Sequence, residues 1–212
     1  MKKTLMLVVF SMLVVLAVGQ SAFATPMIMT ISDNDITTTD ITLSSSTGFI
    51  NYTGSIGVWS FVVSTGLSYP VIPSTPTSAG MDLNVVAVSS KAGQLNITLS
   101  DSGFTPIPAG ASVVGKVGGT TNGSVGFTVS AGAGTVILPP SGFTSSSPFS
   151  LTGFAATGPM PAPYSMALTA QINHSTAAVS SFDLEGTVPE PTSLILLGTG
   201  LVGLALRRRA VR

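Results

Sequence analysis

The 212-residue chain contains no cysteine, which excludes a disulfide framework, a zinc-thiolate site, an iron–sulfur cluster and a thiol nucleophile. Charged residues are also scarce, at 8% of the chain, where soluble domains usually carry about 25%. Few side chains can therefore act as acids, bases or ion pairs. We expect a protein that is not an enzyme and that holds neither a cofactor nor a metal ion.

Positive charge is concentrated at the two ends of the chain, which hold six of its eight basic residues. Between Thr25 and Pro189 there are two basic residues, Lys91 and Lys116, against seven acidic ones, which leaves a net charge of −5. A phosphate-binding surface needs the opposite sign. Nucleic acid is therefore not an expected partner.

The N-terminal segment has the three parts of a secretory signal. Lys2 and Lys3 precede a mostly apolar stretch, and Ala22 and Ala24 follow it at the spacing that signal peptidase requires. We predict a signal peptide over residues 1–24 that is cleaved after Ala24. An uncleaved N-terminal anchor is the alternative.

The C-terminal segment combines a motif, an apolar stretch and a basic cluster. Its parts are Pro189, Glu190 and Pro191, then residues 194–206, then Arg207, Arg208 and Arg209. The apolar stretch is shorter than the roughly 20 residues of a comfortable membrane span. Arginines are retained on the cytoplasmic side of a membrane. The pattern predicts a short transmembrane helix with the rest of the chain outside.

These C-terminal residues resemble the PEP-CTERM tail found in Gram-negative bacteria that make exopolysaccharide. Residues 82–104 also resemble a segment that recurs in PEP-CTERM proteins. The resemblance implies recognition of residues 188–212 by an exosortase, a passage through the inner membrane, and delivery to the cell surface or extracellular matrix. A plain tail anchor with a chance Pro-Glu-Pro triplet is the alternative.

Between the two ends, apolar residues alternate with period two, as in half-buried strands. The clearest runs lie at 95–99, 125–129 and 164–172, and weaker runs lie at 27–31, 41–43, 49–52, 56–63, 83–88, 135–138, 149–154 and 179–184. Gly, Pro, Ser, Thr and Asn cluster at 69–80, 105–111, 117–124 and 153–163, where we expect turns. The pattern predicts one all-β domain over residues 25–187. An antiparallel β-sandwich is expected, and a jelly roll is one topology for it.

Two stretches offer candidate ligand sites. Residues 110–117 approach a phosphate-binding loop, but Val117 stands where Ser or Thr should reach magnesium, so the similarity is attributed to chance. Asp33, Asp35 and Asp40 offer oxygen ligands of the type that calcium prefers. Their spacing lacks the EF-hand glycine and distal glutamate, and a solvated loop is the preferred interpretation.

Catalytic groups are few. His174 is the only histidine, and because it follows a strand pattern next to Asn173, we expect it in a turn without a catalytic partner. Asp183 and Glu185 should share one face of a strand, which would suit a glycosidase pair, although solvated neighbours are the preferred interpretation.

Trp59 is the only tryptophan, and it lies in an apolar run that favours a place in the core. If exposed beside Tyr52 or Tyr69, it would favour sugar binding. The sequence therefore predicts an exported, exosortase-processed protein without enzymatic activity, with exopolysaccharide as a candidate partner. A carbohydrate-binding or adhesive module and a secreted hydrolase are the two alternatives.

Overall fold

The computed structural model describes residues 26–34, 38–68, 71–72, 79–104, 111–140, 142, 148–160 and 163–189. Within these ranges every regular element is a β-strand. The strands are β1 (Met27–Ser32), β2 (Ile41–Ser45), β3 (Phe49–Ile56), β4 (Trp59–Leu67), β5 (Ala79–Ser89), β6 (Gly93–Phe104), β7 (Ser112–Thr121), β8 (Ser124–Ala131), β9 (Gly134–Leu138), β10 (Phe149–Ala156), β11 (Tyr164–His174) and β12 (Ala178–Val188). The predicted signal peptide and C-terminal helix lie outside the described residues.

The twelve strands form two antiparallel six-stranded sheets. Sheet A has the order β2-β1-β6-β11-β8-β9, and sheet B has the order β10-β7-β12-β5-β4-β3. The two sheets pack face to face, so the predicted β-sandwich is confirmed. Sheet B places β12, the last strand, in its interior between β7 and β5.

The period-two alternation of the sequence determines which side chains enter the core. On β6, Leu95, Ile97 and Leu99 are fully buried, and on β11 Leu168 and Ile172 are as well. Each such side chain stabilises the fold by about 1.5–3 kcal/mol on leaving water. The intervening residues on every strand point outward, and so each sheet has one solvent-facing surface.

Three local predictions are wrong. The segment expected to turn at 153–163 remains in β10 as far as Ala156. The run at 56–63 contains a hairpin turn, because Gly57 and Val58 separate β3 from β4. The turn expected at 117–124 begins only after Thr121, since Gly118 and Gly119 belong to β7. A β-carbon on Gly119 would lie 2.2 Å from the carbonyl oxygen of Ser181. The glycine is therefore needed for close strand packing and does not mark a turn.

The fold also determines where the C-terminal segment begins. β12 runs without interruption to Val188, whose side chain is fully buried and whose backbone pairs with Ala79. Pro189 follows at once and is exposed. No spacer separates the core of the sandwich from the Pro-Glu-Pro motif.

Candidate functional site

The outer face of sheet A carries hydroxyl and amide side chains and no charged group among the described residues of its six strands. Four outward positions lack a polar side chain, namely Ile28, Gly126, Ile137 and Ala167. The polar positions are Thr30, Ser32, Thr42, Ser44, Gln94, Asn96, Thr98, Ser100, Ser102, Ser124, Thr128, Ser130, Thr135, Ser165, Thr169, Gln171 and Asn173. We call this surface the hydroxyl face.

A row of five threonines crosses the middle of the hydroxyl face. Strand register places them opposite one another on five neighbouring strands, in the order Thr42, Thr30, Thr98, Thr169 and Thr128. Neighbouring strands lie about 4.8 Å apart. The Oγ1 atoms of Thr98 and Thr169 are 3.2 Å apart and share a hydrogen bond. The row is therefore an ordered line of hydroxyl groups across the sheet.

A shallow groove of about 550 Å³ adjoins one end of the hydroxyl face. Ser100, Ser130 and Ser165 supply hydroxyl groups to it, while Pro163 and Met160 form part of its apolar wall. Tyr164 also lines the groove but is 95% buried, and burial raises the pKa of its hydroxyl. The groove is chemically a continuation of the face, with added apolar surface.

The outer face of sheet B, in contrast, carries a cluster of charged groups. Asp183 and Glu185 share one face of β12, as their spacing predicts, and Glu185 stands opposite Asp82 of β5 on one side and Lys116 of β7 on the other. The pKa of Asp82 is raised to about 7, first by burial, then by the charge of Asp183 and a hydrogen bond with it, and last by the charge of Glu185. The Lys116 Nζ atom lies 3.7 Å from Glu185 Oε2.

This arrangement makes Asp82 a carboxyl group with a pKa of about 7, close to neutral pH. A glycosidase uses one protonated and one ionised carboxyl group, held about 5 Å or more apart, and Asp82 has the raised pKa expected of the protonated one. The three carboxylates lie on an open sheet surface, and none of them lines the described groove. Sequence reasoning missed Asp82 because only strand pairing brings it beside Asp183.

His174 is buried, and the predicted turn position is wrong. It is the last residue of β11, with Ser89 Oγ 2.7 Å from its Nδ1 and Ser180 Oγ 2.8 Å from its Nε2. Thr121 Oγ1 lies 2.7 Å from Ser180 Oγ. Burial lowers the pKa of the imidazole. With 1% of its surface exposed, His174 joins the two sheets through hydrogen bonds and is closed to a substrate.

Trp59 lies in the core, as its apolar run predicts. Its side chain is fully buried, and its ring packs against His174 at a centroid distance of 4.7 Å. Among the described residues, Trp59 Nε1 is the one buried side-chain polar atom without a hydrogen-bond partner. Tyr52 packs edge to face against Phe61, and Tyr69 lies outside the described residues. Trp59 therefore forms no exposed aromatic platform with Tyr52.

The remaining predicted ligand positions are dispersed. Asp33 accepts a hydrogen bond from Thr38 near the β3–β4 turn, Asp40 is exposed, and Asp35 lies outside the described residues. Within the described part of the chain, no three His, Asp or Glu side chains are placed to hold a metal ion. The stretch at 110–117 continues into the extended strand β7 and does not precede a helix.

Of the predicted sorting motif, the structure describes Pro189 alone, while Glu190, Pro191 and Arg207 to Arg209 lie outside the described residues, as do Ala22 and Ala24. The ranges that are described contain no helix with the length and apolarity needed to cross a membrane.

Several solved structures resemble the fold. TmCBM61 in complex with β-1,4-galactotriose is 12% identical, covers 62% of this chain and 88% of its own, and has a TM-score of 0.35. A structure of the carbohydrate-binding modules from the β-sandwich superfamily is 9% identical, covers 78% of this chain and 84% of its own, and has a TM-score of 0.31. The K1 cleaved adhesin domain of Lys-gingipain from Porphyromonas gingivalis is 12% identical, covers 67% of this chain and 98% of its own, and has a TM-score of 0.26. At these scores the similarities carry no argument about a ligand.

Among curated proteins, none matches the chain. The PEP-CTERM protein-sorting motif matches residues 187–209, which begin on the last two residues of β12 and include the Pro-Glu-Pro triplet. The match confirms the resemblance found in the sequence. The chain is therefore a PEP-CTERM domain-containing protein, exported and directed to the cell surface as an exosortase substrate.

Proposed function

We propose that the β-sandwich is a non-enzymatic component of the cell surface or extracellular matrix that associates with exopolysaccharide through the hydroxyl face. The observation that carries the proposal is the separation of charge between the two sheets. The strand carboxylates of the outer faces, Asp82, Asp183 and Glu185, all lie on sheet B. The one carboxylate on a described strand of sheet A, Asp101, is 8% exposed and accepts a hydrogen bond from Ser68, so it does not belong to the hydroxyl face.

The chemistry of the hydroxyl face suits an uncharged sugar chain. Serine and threonine hydroxyls both donate and accept hydrogen bonds, and Asn and Gln amides do the same with separate atoms, which matches the mixed character of sugar hydroxyls. No ion must be desolvated when such a ligand binds, and desolvating an ion is costly. The threonine row repeats at about 4.8 Å, a distance comparable to the advance of one sugar residue along an extended chain.

Delivery to this location depends on the two end segments. The signal peptide would bring the chain to the inner membrane, and residues 194–206 would hold it there with Arg207 to Arg209 on the cytoplasmic side. An apolar stretch this short holds a chain less securely than a full span, which suits a temporary anchor. Exosortase would then remove the segment at or near Pro189 to Pro191.

The test is binding of the purified protein to exopolysaccharide from its own host, measured by co-sedimentation at low and high salt. Binding through an uncharged face should be insensitive to salt, because screening acts on charged pairs. Absence of binding would contradict the association, and binding that disappears at high salt would assign it to the charged face of sheet B.

A secreted hydrolase is the second candidate, and the Asp82, Asp183 and Glu185 cluster is the observation that favours it. Release of reducing sugar from the same exopolysaccharide would support the hydrolase if Asp183→Asn abolished it without unfolding the protein. Sugar release unaffected by this substitution would exclude the cluster as its source.

A further inference from the structure

We infer that an apolar row on the outer face of sheet B, at the end where the C-terminal segment leaves the fold, rests on the lipid surface while that segment is anchored. This contact rests on the proposed membrane-held intermediate. The row is formed by Phe154, Val114 and Ile72, with the exposed Val71 next to Ile72 in the chain, and we call these residues the apolar rim.

Strand register aligns the apolar rim. Phe154 of β10 stands opposite Val114 of β7, which stands opposite Thr187 of β12, and Thr187 pairs with Gly80 of β5. Positions 154, 114, 187 and 80 therefore lie side by side across the neighbouring strands β10, β7, β12 and β5. Phe154 is 81% exposed, more than any other large apolar side chain among the described residues.

Gly80 extends the row by leaving room for a neighbouring side chain. A β-carbon on Gly80 would lie 3.2 Å from Ile72 Cγ2 and 4.0 Å from Thr187 Cγ2. Ile72 therefore covers the position that a side chain at residue 80 would take. Val71, next to it in the chain, is 47% exposed. The apolar rim thus runs from the edge strand β10 past β12 to the segment that precedes β5.

The distance to the membrane follows from the length of chain beyond the fold. Thr187 lies one residue before Val188, where β12 ends, and only residues 190–193 separate Pro189 from the apolar stretch that begins at Leu194. The five Cα–Cα steps from Pro189 to Leu194 span at most about 18 Å even when fully extended. An anchored chain must therefore hold this end of the sandwich at the bilayer surface.

The occupant should be lipid because the anchor brings the rim to the membrane whether or not a partner protein is present. Apolar side chains such as phenylalanine enter the interfacial region of a bilayer. The charged row with Lys116 and Glu185 lies one outward position further from the tail, where it would stay in water. With sheet B turned to the membrane, the hydroxyl face on the opposite side of the sandwich points away from it.

The test uses the absence of native cysteine, which allows single labelling sites. Phe154→Cys and Val71→Cys place an environment-sensitive dye on the apolar rim, and Val179→Cys is the matched control. Val179 is 41% exposed on the same face of β12, eight residues from Thr187 and at the opposite end of the strand. The chain is purified from membranes of secreting cells that lack an exosortase and is reconstituted in phosphatidylcholine vesicles with headgroup-region spin-labelled lipid.

We expect the protein to float with the vesicles, with dye at positions 71 and 154 showing blue-shifted, quenched emission and dye at 179 showing neither change. Floating protein whose dye at 154 behaves like that at 179 would overturn the inference and leave the anchored intermediate intact. Protein that does not float would refute the anchor and the inference together. Quenching at 154 that requires added exosortase would assign the rim to a protein partner and overturn the lipid assignment.

Discussion

Thr98 and Thr169 face each other across β6 and β11, and their hydroxyl oxygens are 3.2 Å apart at the centre of the threonine row. Each hydroxyl can donate one hydrogen bond and accept others, so the pair retains capacity for a ligand. The pair connects the two central strands of sheet A. Both side chains point away from the core, so the hydroxyl face can be altered here with little effect on core packing.

Replacing both residues, Thr98→Val and Thr169→Val, should weaken exopolysaccharide binding about tenfold, because two hydrogen bonds of about 0.5–1.5 kcal/mol each are removed. Valine matches threonine in shape and favours strands, so the fold should be unchanged. Thr65→Val on the outer face of sheet B is the control. Equal loss in the control, measured by co-sedimentation, would contradict a role specific to the hydroxyl face.

Asp82 should make the folded protein less stable as pH rises from about 4 to 7. The folded state keeps the Asp82 proton up to a pKa of about 7, while the unfolded chain loses it near 3.8. The folded state therefore binds more protons in this window, and stability falls as pH rises. Asp82→Asn should reduce the pH dependence and raise stability at neutral pH.

Urea unfolding of residues 25–189 at pH 5 and 7.5 measures the effect of Asp82, since this fragment retains all twelve described strands. Asp40→Asn at an exposed loop position is the control. An Asp82→Asn variant whose stability changes with pH as the parent's does would show that the carboxylate cluster does not hold the proton.

His174→Ala should destabilise the sandwich by about 2–4 kcal/mol, because it opens a cavity beside Trp59 and removes partners of Ser89 and Ser180. The lowered pKa of His174 also predicts that stability falls as pH drops below 6.5, where the unfolded chain takes up a proton that the folded state resists. The variant should lack this dependence.

Denaturant unfolding at pH 7.5 and 5.5 tests the role of His174, with Ser175→Ala as the exposed neighbouring control. His174 and Asp82 change the stability of the fold in opposite directions as pH falls. Each variant is therefore compared with the parent protein at the same pH. A stability loss no greater than in the control would mean that the hydrogen bonds joining the sheets contribute little.

Processing should leave all of β12 in the mature protein. Because Val188 is buried and paired in an interior strand, the peptide bonds before it are closed to a protease, and the cut should fall after Val188. Glu190→Ala should cause an uncleaved form to accumulate in membranes of a host that has the exosortase. Glu185→Ala, which removes an acidic side chain within the fold, is the control.

Mass spectrometry of the protein recovered outside the cell gives the cleavage boundary. Peptides that run from Leu194 through Leu206 into Arg207 would show that the segment is not removed. A mature C-terminus before Val188 would show instead that the end of β12 opens during processing.

The local sequence by itself determined the β class, most of the strand positions and the sorting motif. These features depend on period-two alternation, turn residues and a short linear motif, all of which are local properties. The same alternation also contained the signal that His174 is buried, since it continues the inward series of Leu168, Ala170 and Ile172. The polar neighbours Asn173 and Ser175 hid this signal because they resemble a turn.

Only the tertiary structure decided which strands are neighbours and in what register. Thr30, Thr98, Thr128 and Thr169 are visible in the sequence as separate outward positions, yet nothing local aligns them in one row. The pairing of Asp82 with Glu185 is likewise not visible, because about a hundred residues separate the two along the chain. Strand order is selected by the packing of two complete sheets, so the hydroxyl face, the carboxylate cluster and the apolar rim exist only once the whole sandwich has formed.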